Sequence, residues 1–412
     1  MAGRNGKKKA AAGLGLIGTG ASVFFAAAAL ATGSAVTAAP ARADFDALID
    51  PIIQPILASF TDSLALFDPA AAVDLTNWAD TFLSSLNSTF DSLLPSLDSA
   101  AAASSTGALP TVDALTGGTL GLSLLEGTEP AVKATIDGGT SVPLLVDTGS
   151  SGLVIPYTDL GSNYFSQIEA LFSLGTPTGI SESGYSGGVD YLYLTYSHVP
   201  VDYLGADGAT ALSTDGPVNV EIYSWDPSNI FSYFSNDAFQ NFLSGNEVDG
   251  ILGIGENTAG PTTTPFLDYG GVYVNIPGGE LVVGGGNPIP DAFSTSGDPV
   301  SKVLESVNGG TAVTVTNNID SGGVFGTIPS SLATNGSIAP GTEITVTNTA
   351  GQELYSYTVG TTNVSDTATP HFISNAPTVI SGTSIDSGVL PFLTHGVYLD
   401  YAADKTYFEP LT

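Results

Sequence analysis

The sequence predicts a mainly β protein made of two similar halves, with a short helical region ahead of them. Three observations predict it. A short signature built on Asp occurs twice, once in Leu145–Pro156 and again in Asn318–Pro329. From Leu120 onward, runs rich in Val, Ile, Thr and Tyr alternate with turns, and 50 Gly and 25 Pro supply those turns. Before that point, residues 45–105 space apolar residues three and four apart, as amphipathic helices do. A chain of 412 residues has room for a leader plus one large bilobal domain, or two ordinary domains.

Taken in order, the chain opens on a basic stretch, Arg4 to Lys9, followed by the apolar run Ala10–Val36 and the small-x-small site Ala41-Arg42-Ala43. Residues 1–43 therefore read as a secretory signal peptide, with an uncleaved membrane anchor as the alternative. Residues 44–118 read as a helical spacer or propeptide-like region, or else a segment that docks to the cell envelope or a partner. Residues 119–287 and 288–412 read as the two β lobes. Ala131–Ile136 and Val142–Val146 pair as strands across the hairpin turn Asp137-Gly138-Gly139-Thr140. Tyr191–Tyr196 and Leu281–Val283 are further strands, the latter stopped by glycines. Ala312–Thr316, Glu343–Thr347 and Gly396–Tyr401 continue the pattern.

Composition excludes several classes of function. The formal charge is −32, and five of the eight basic residues lie in the first 42 positions. Beyond the leader only Lys133, Lys302 and Lys405 are positive, so the surface repels nucleic acid and anionic lipid. With no Cys there is no disulfide framework and no thiol nucleophile. The scattered His198, His371 and His395 do not suggest a zinc site, and none lies in a recognisable nucleophile motif. No metal and no cofactor is expected.

The repeated signature carries the chemistry. Asp147-Thr148-Gly149-Ser150-Ser151 follows an apolar strand, and Asp320-Ser321-Gly322-Gly323 follows another. In each copy Ile-Pro closes the run, at Ile155-Pro156 and Ile328-Pro329. A Gly two positions after each Asp lets backbone crowd the carboxylate and offers it an N–H. The hydroxyls of Thr148 and Ser321 can bond across between the two turns, and Ser150 can bond the outer oxygen of Asp147. Two neighbouring carboxylates cannot both ionise easily, so one stays protonated while the other remains a base. Such a pair can activate water against an amide.

With these residues in place, the sequence resembles the pepsin-like aspartic proteases. Asp147-Thr148-Gly149-Ser150 is similar to the family's first active-site motif, and Asp320-Ser321-Gly322 to its second. Asp249-Gly250-Ile251-Leu252-Gly253 is similar to the segment packed beneath the first, and Gly278–Gly285 to the strand that closes the first lobe. The Asp-Ser-Gly-Gly-Val-Phe-Gly-Thr-Ile-Pro run and the Cys-free, Lys-poor composition resemble one branch in particular, the mycobacterial PecA-type proteases that process PE and PE_PGRS surface proteins. Residues 45–105 carry no obvious PE pattern.

The resemblance implies a bilobal fold, Asp147 and Asp320 as catalytic residues, and Thr148, Gly149, Ser150, Ser321 and Gly322 as their supports. It implies a flap over the cleft, for which Tyr185 at the tip Gly184–Gly188 is the candidate. Val154 occupies the position of the Trp that often partners the flap Tyr, and Gly323 that of a second-lobe Ser or Thr. Asp386-Ser387-Gly388 is a third Asp-Ser-Gly, read as the element beneath the second turn, with Asp386 in place of Asp320 as the alternative. The expected protein is thus a monomeric aspartic endopeptidase, secreted or at the cell envelope. Its expected substrates are proteins or peptides, PE/PE_PGRS proteins among them. The competing expectation is a catalytically silent binding or structural protein on the same scaffold.

Overall fold

In the computed structural model the described residues are 116–161, 164–175, 177–185, 189–225, 239, 242–243, 247–289, 293–365 and 370–410. The signal peptide, the helical region expected over residues 45–105 and nearly all of the 44–118 spacer lie outside them. So does the tip of the flap candidate, 186–188, together with the side chain of Tyr185. What is described is mainly β and belongs to one compact unit, Asp113–Thr412.

The first half contributes β1 (Gly118–Leu125), β2 (Glu129–Ile136), β3 (Ser141–Asp147), β4 (Ser151–Pro156), β5 (Gly179–Tyr185), β6 (Val189–Leu204), β7 (Thr210–Trp225), β8 (Gly250–Ile254), β9 (Val272–Asn275) and β10 (Glu280–Val283). The hairpin turn between β2 and β3 forms as expected. Asp137 and Gly138 take φ of 49° and 70°, and the turn closes on a bond from Gly139 N–H to the Ile136 carbonyl. Two successive positive φ values match the right-handed twist of the flanking strands, which is why Asp-Gly is placed there.

A closed ring of strands follows. β2 pairs with β3, β3 with β8, β8 with β4, β4 with β7, β7 with β6, and β6 returns to β2. Closure leaves these strands no free edge. It also explains their unbroken apolar runs, because both faces are covered. Leu144 and Val146 of β3 join one core with Leu153, Ile155, Leu252 and Ile254. Leu145, between them, points the other way into a second core with Val154, Ile251, Tyr193 and Phe239. Each such side chain contributes about 2 kcal/mol through burial.

The second half contributes β11 (Phe293–Ser296), β12 (Val300–Val307), β13 (Val313–Asn318), β14 (Thr327–Pro329), β15 (Glu343–Thr347), β16 (Glu353–Thr358), β17 (Thr361–Ser365), β18 (Pro370–Ser374), β19 (Thr378–Ile380), β20 (Ser384–Asp386), β21 (Val397–Asp400) and β22 (Lys405–Phe408). It does not close. β16, β15, β12, β13 and β20 make an open sheet, and β14 pairs separately with β19. The halves share a sheet in which β22 and β21 continue onto β9, β10 and β1. The larger core is likewise common to both, running from Leu144 and Leu252 to Val315, Ile319 and Phe392.

One element went unforeseen. Tyr164–Ser173 is an α-helix, α1, between β4 and β5. Its Gln167 amide donates to the Thr158 and Gly161 carbonyls, and Leu171 packs against the core. In sequence, Asn163 ahead of Tyr164 and Gly175 beyond Ser173 are a start and a stop signal, but the run between them is only ten residues long amid strand-rich sequence. Tertiary packing holds it.

Candidate active site

The first turn stands at the end of β3, with Thr148, Gly149 and Ser150 leading into β4. β3 and β8 run parallel, and Asp147 lies opposite Gly253. β4 packs against the other edge of β8, with Gly152 opposite Gly253. A Cβ on Gly253 would come within 2.7 Å of the Ser151 backbone, so only Gly lets β8 brace the turn this closely. The Asp249-Gly-Ile-Leu-Gly segment is therefore the floor of the first turn.

The second turn is built the same way from different strands. β13 leads into it, and β20 runs parallel to β13 with Asn318 opposite Asp386. Counted from the Asp, Asp386 and Ser387 stand where the first half has Ile251 and Leu252. The floor of the second turn is thus polar where that of the first is apolar.

The two turns grip each other reciprocally. Thr148 Oγ1 donates to the Ile319 carbonyl at 2.6 Å, and Ser321 Oγ donates to the Val146 carbonyl at 2.6 Å. In return Thr148 Oγ1 accepts from Ser321 N–H at 2.8 Å, and Ser321 Oγ accepts from Thr148 N–H at 3.0 Å. Both hydroxyl side chains are fully buried. Each Gly lies against the opposite carboxyl: a Cβ on Gly149 would sit 2.3 Å from Asp320 Cγ, and one on Gly322 would sit 2.6 Å from Asp147 Cγ. The grip therefore brings Asp147 and Asp320 together, and their carboxyls hydrogen-bond.

Their surroundings differ. Asp147 Oδ1 accepts from Gly149 N–H at 2.7 Å and Oδ2 from Ser150 Oγ at 2.5 Å. Asp320 Oδ1 accepts from Gly322 N–H at 2.8 Å, the equivalent bond. No hydroxyl follows at Gly323, and the Asp386 carboxyl hydrogen-bonds Asp320 instead. Burial, and then the charge of Asp320, hold Asp147 well above the usual carboxylate range, against the pull of Ser150 and Gly149. Burial, and then Asp386, push Asp320 up to about 8. Burial and mutual charge thus both push the pair toward its protonated forms.

Of the residues singled out in the sequence, Asp147, Thr148, Gly149, Ser150, Asp320, Ser321 and Gly322 all meet here. Tyr185 ends β5, whose backbone pairs it with Val189 at the start of β6. Two acids were not expected to face the pair. Asp386 is one. Glu129 is the other, buried at the start of β2, near enough to feel Asp147 and raised to about 7, chiefly by burial. Its only sequence signal is an acid heading the otherwise apolar Pro130-Ala131-Val132.

Comparison with known proteins points the same way. The profile of the PE-PGRS C-terminal aspartyl peptidase-like domain matches residues 118–407. The chain is 36% identical over 303 residues to PE cleavage protein A of Mycobacterium tuberculosis, covering 69% of this chain and 50% of that protein. It is 38% identical over 307 residues to PE cleavage protein A of Mycobacterium marinum, covering 70% and 51%. The chain thus spans about half the length of these relatives. The match begins at the first residue of β1 and ends within β22, so it takes in both turns and the floor beneath each. This chain belongs to the family of PE-PGRS C-terminal aspartyl peptidase-like domains.

Proposed function

We propose that the chain is an aspartic endopeptidase, bilobal and pepsin-like, in which Asp147 and Asp320 activate one water molecule against a peptide bond. The observation that carries this reading is the reciprocal Thr148–Ser321 grip, which holds two carboxyls in hydrogen-bonding contact at the meeting of the two halves. The ionised carboxyl takes a proton from the water as it attacks the scissile carbonyl. The protonated carboxyl polarises the carbonyl oxygen and then protonates the leaving nitrogen. No covalent intermediate forms. The name of the Mycobacterium relatives, PE cleavage protein A, supports PE-family proteins as substrates. The leader at residues 1–43 supports export to the cell envelope or beyond, and the presence of both turns on one chain supports a working monomer.

The test is cleavage of a purified PE-family protein by the full chain, with and without a statin-type transition-state mimic. Cleavage should stop with the inhibitor. Asp147→Asn and Asp320→Asn should each lower turnover by at least ~10³-fold while leaving the melting temperature close to wild type. A well-folded protein that neither cleaves nor binds the inhibitor would instead be a silent relative.

A further inference from the structure

The place beside Asp320 that the first turn fills with Ser150 is filled in the second by a third carboxyl. A Cβ on Gly323 would lie 3.0 Å from Asp386 Oδ1 and 3.3 Å from Asp320 Oδ2, so both oxygens occupy the space that a side chain at 323 would take. Asp320 Oδ1 already holds the Gly322 N–H, and Oδ2 is the counterpart of the oxygen that receives Ser150 on Asp147.

Asp386 is not there by chance of packing. It heads a third turn of the same form, with Gly388 N–H donating to Asp386 Oδ1 at 2.7 Å. Its own N–H donates to Thr327 Oγ1 at 2.8 Å. The neighbouring Ser387 Oγ accepts from Asp320 N–H at 2.9 Å, as Thr148 Oγ1 accepts from Ser321 N–H. Val389 N–H donates to the Gly323 carbonyl at 2.7 Å. The third turn is therefore bonded to the second through Ser387 and Val389, and to β14 through the N–H of Asp386 itself.

We propose that Asp386 is a positioning residue for the pair: its carboxyl, admitted by the missing side chain at Gly323, orients Asp320 and sets the pH range over which Asp147 and Asp320 keep their shared proton. The inference rests on the aspartic-peptidase reading for its effect on rate, though not for its effect on titration. Two carboxyls can hydrogen-bond only through a proton, because an ionised carboxylate is purely an acceptor. Three carboxyls linked in a row therefore need at least two protons, and when Asp386 carries the negative charge both of those protons lie on Asp147 and Asp320. The titratable groups facing Asp386 are Asp320, Asp147 and, from β16, Tyr355, all acidic or neutral. Once Asp386 ionises, its charge opposes ionisation of the pair, and both limbs of the activity profile stand at higher pH than they would without it.

The experiment compares three full-length proteins: wild type, Asp386→Asn, and Gly323→Ser combined with Asp386→Ala. The first variant keeps the shape of Asp386 and replaces its charge with an amide that donates to Asp320. The second returns a hydroxyl to position 323 and clears the carboxyl it would crowd. Both should move the acid and alkaline limbs of casein hydrolysis down by about one pH unit, with KM nearly unchanged. Carboxyl titration of the same proteins, read by NMR with carbon-labelled Asp, should show the apparent pKa values of the pair falling by a similar amount. Unmoved limbs and an unmoved titration, with only a lower melting temperature, would overturn the proposal and make Asp386 a structural filler. If wild type hydrolyses no casein and binds no statin, the peptidase reading fails, and the titration still decides whether Asp386 governs the pair.

Discussion

The first and second Asp turns share a backbone and differ in what surrounds the carboxyl. Each has an Asp whose Oδ1 takes an N–H two residues on, and each lends a hydroxyl to the other through a matched set of four bonds. The first stands in a closed ring on the apolar pair Ile251 and Leu252, with Ser150 on its outer oxygen. The second stands in an open sheet on the polar pair Asp386 and Ser387, with Gly323 where that hydroxyl would be. Duplication supplies the symmetry that brings two like charges together. Divergence around each copy makes the two carboxyls unequal and so biases which of them holds a shared proton.

The steepest way to break the symmetry is at the shared glycines. Gly149→Ala and Gly322→Ala each drive a methyl group into the opposite carboxyl, at 2.3 Å and 2.6 Å from its carbon. Both should reduce proteolysis below detection and lower the melting temperature, and the two losses should be alike, since the contact is reciprocal. A mild effect from one alone would show that the turns are not equivalent even in backbone.

A smaller change makes the first turn resemble the second. Ser150→Ala removes the 2.5 Å bond to Asp147 Oδ2 and with it a donor that favours the ionised form. The limb of the pH–rate profile governed by Asp147 should move to higher pH, and turnover at its optimum should fall about tenfold, the equivalent of ~1.4 kcal/mol, for one lost charge-assisted bond. A shift to lower pH would contradict the bond's direction.

The gentlest test lies away from the site, one acid in each half. Glu221 on β7 and Glu305 on β12 are both buried, and burial pushes each to about 8. Glu221 Oε1 and Glu305 Oε2 have no hydrogen-bond partner. A carboxyl raised in the folded state favours folding most below its unfolded value, near 4.5, and loses that contribution as pH climbs toward 8. The melting temperature should therefore fall across that window. Glu221→Gln and Glu305→Gln should each flatten the slope, measured by calorimetry at several pH values, and a slope unchanged in both would show that these acids do not titrate with folding.

Much of this was legible in the chain. The hairpin at Asp137-Gly138 and the strand Glu343–Thr347 follow from turn chemistry and alternation, both of which act over a few residues. The Asp-hydroxyl-Gly copies marked the residues that meet at the site. The helix Tyr164–Ser173 was passed over although Asn163 and Gly175 flank it, because so short a run shows little period of its own, and bonds from Gln167 to the preceding loop and packing on the core help to hold it. Asp386 was visible as a third Asp-Ser-Gly, yet its contact with Asp320 was not. The apolar match at Ile385 concealed that the residues facing the turn are Asp386 and Ser387.

By itself the sequence determined which groups are chemically able to act: two Asp, each with a glycine that permits close approach and a hydroxyl that can reach across. Only the tertiary structure decided which groups touch. The return of β6 to β2, the burial of Glu129, and the line of Asp147, Asp320 and Asp386 all join residues far apart in the chain. Local pattern constrains dihedral angles and faces, whereas the protonation of a carboxyl depends on the charges and solvent within a few ångströms of it, and those neighbours exist only once the halves have packed together.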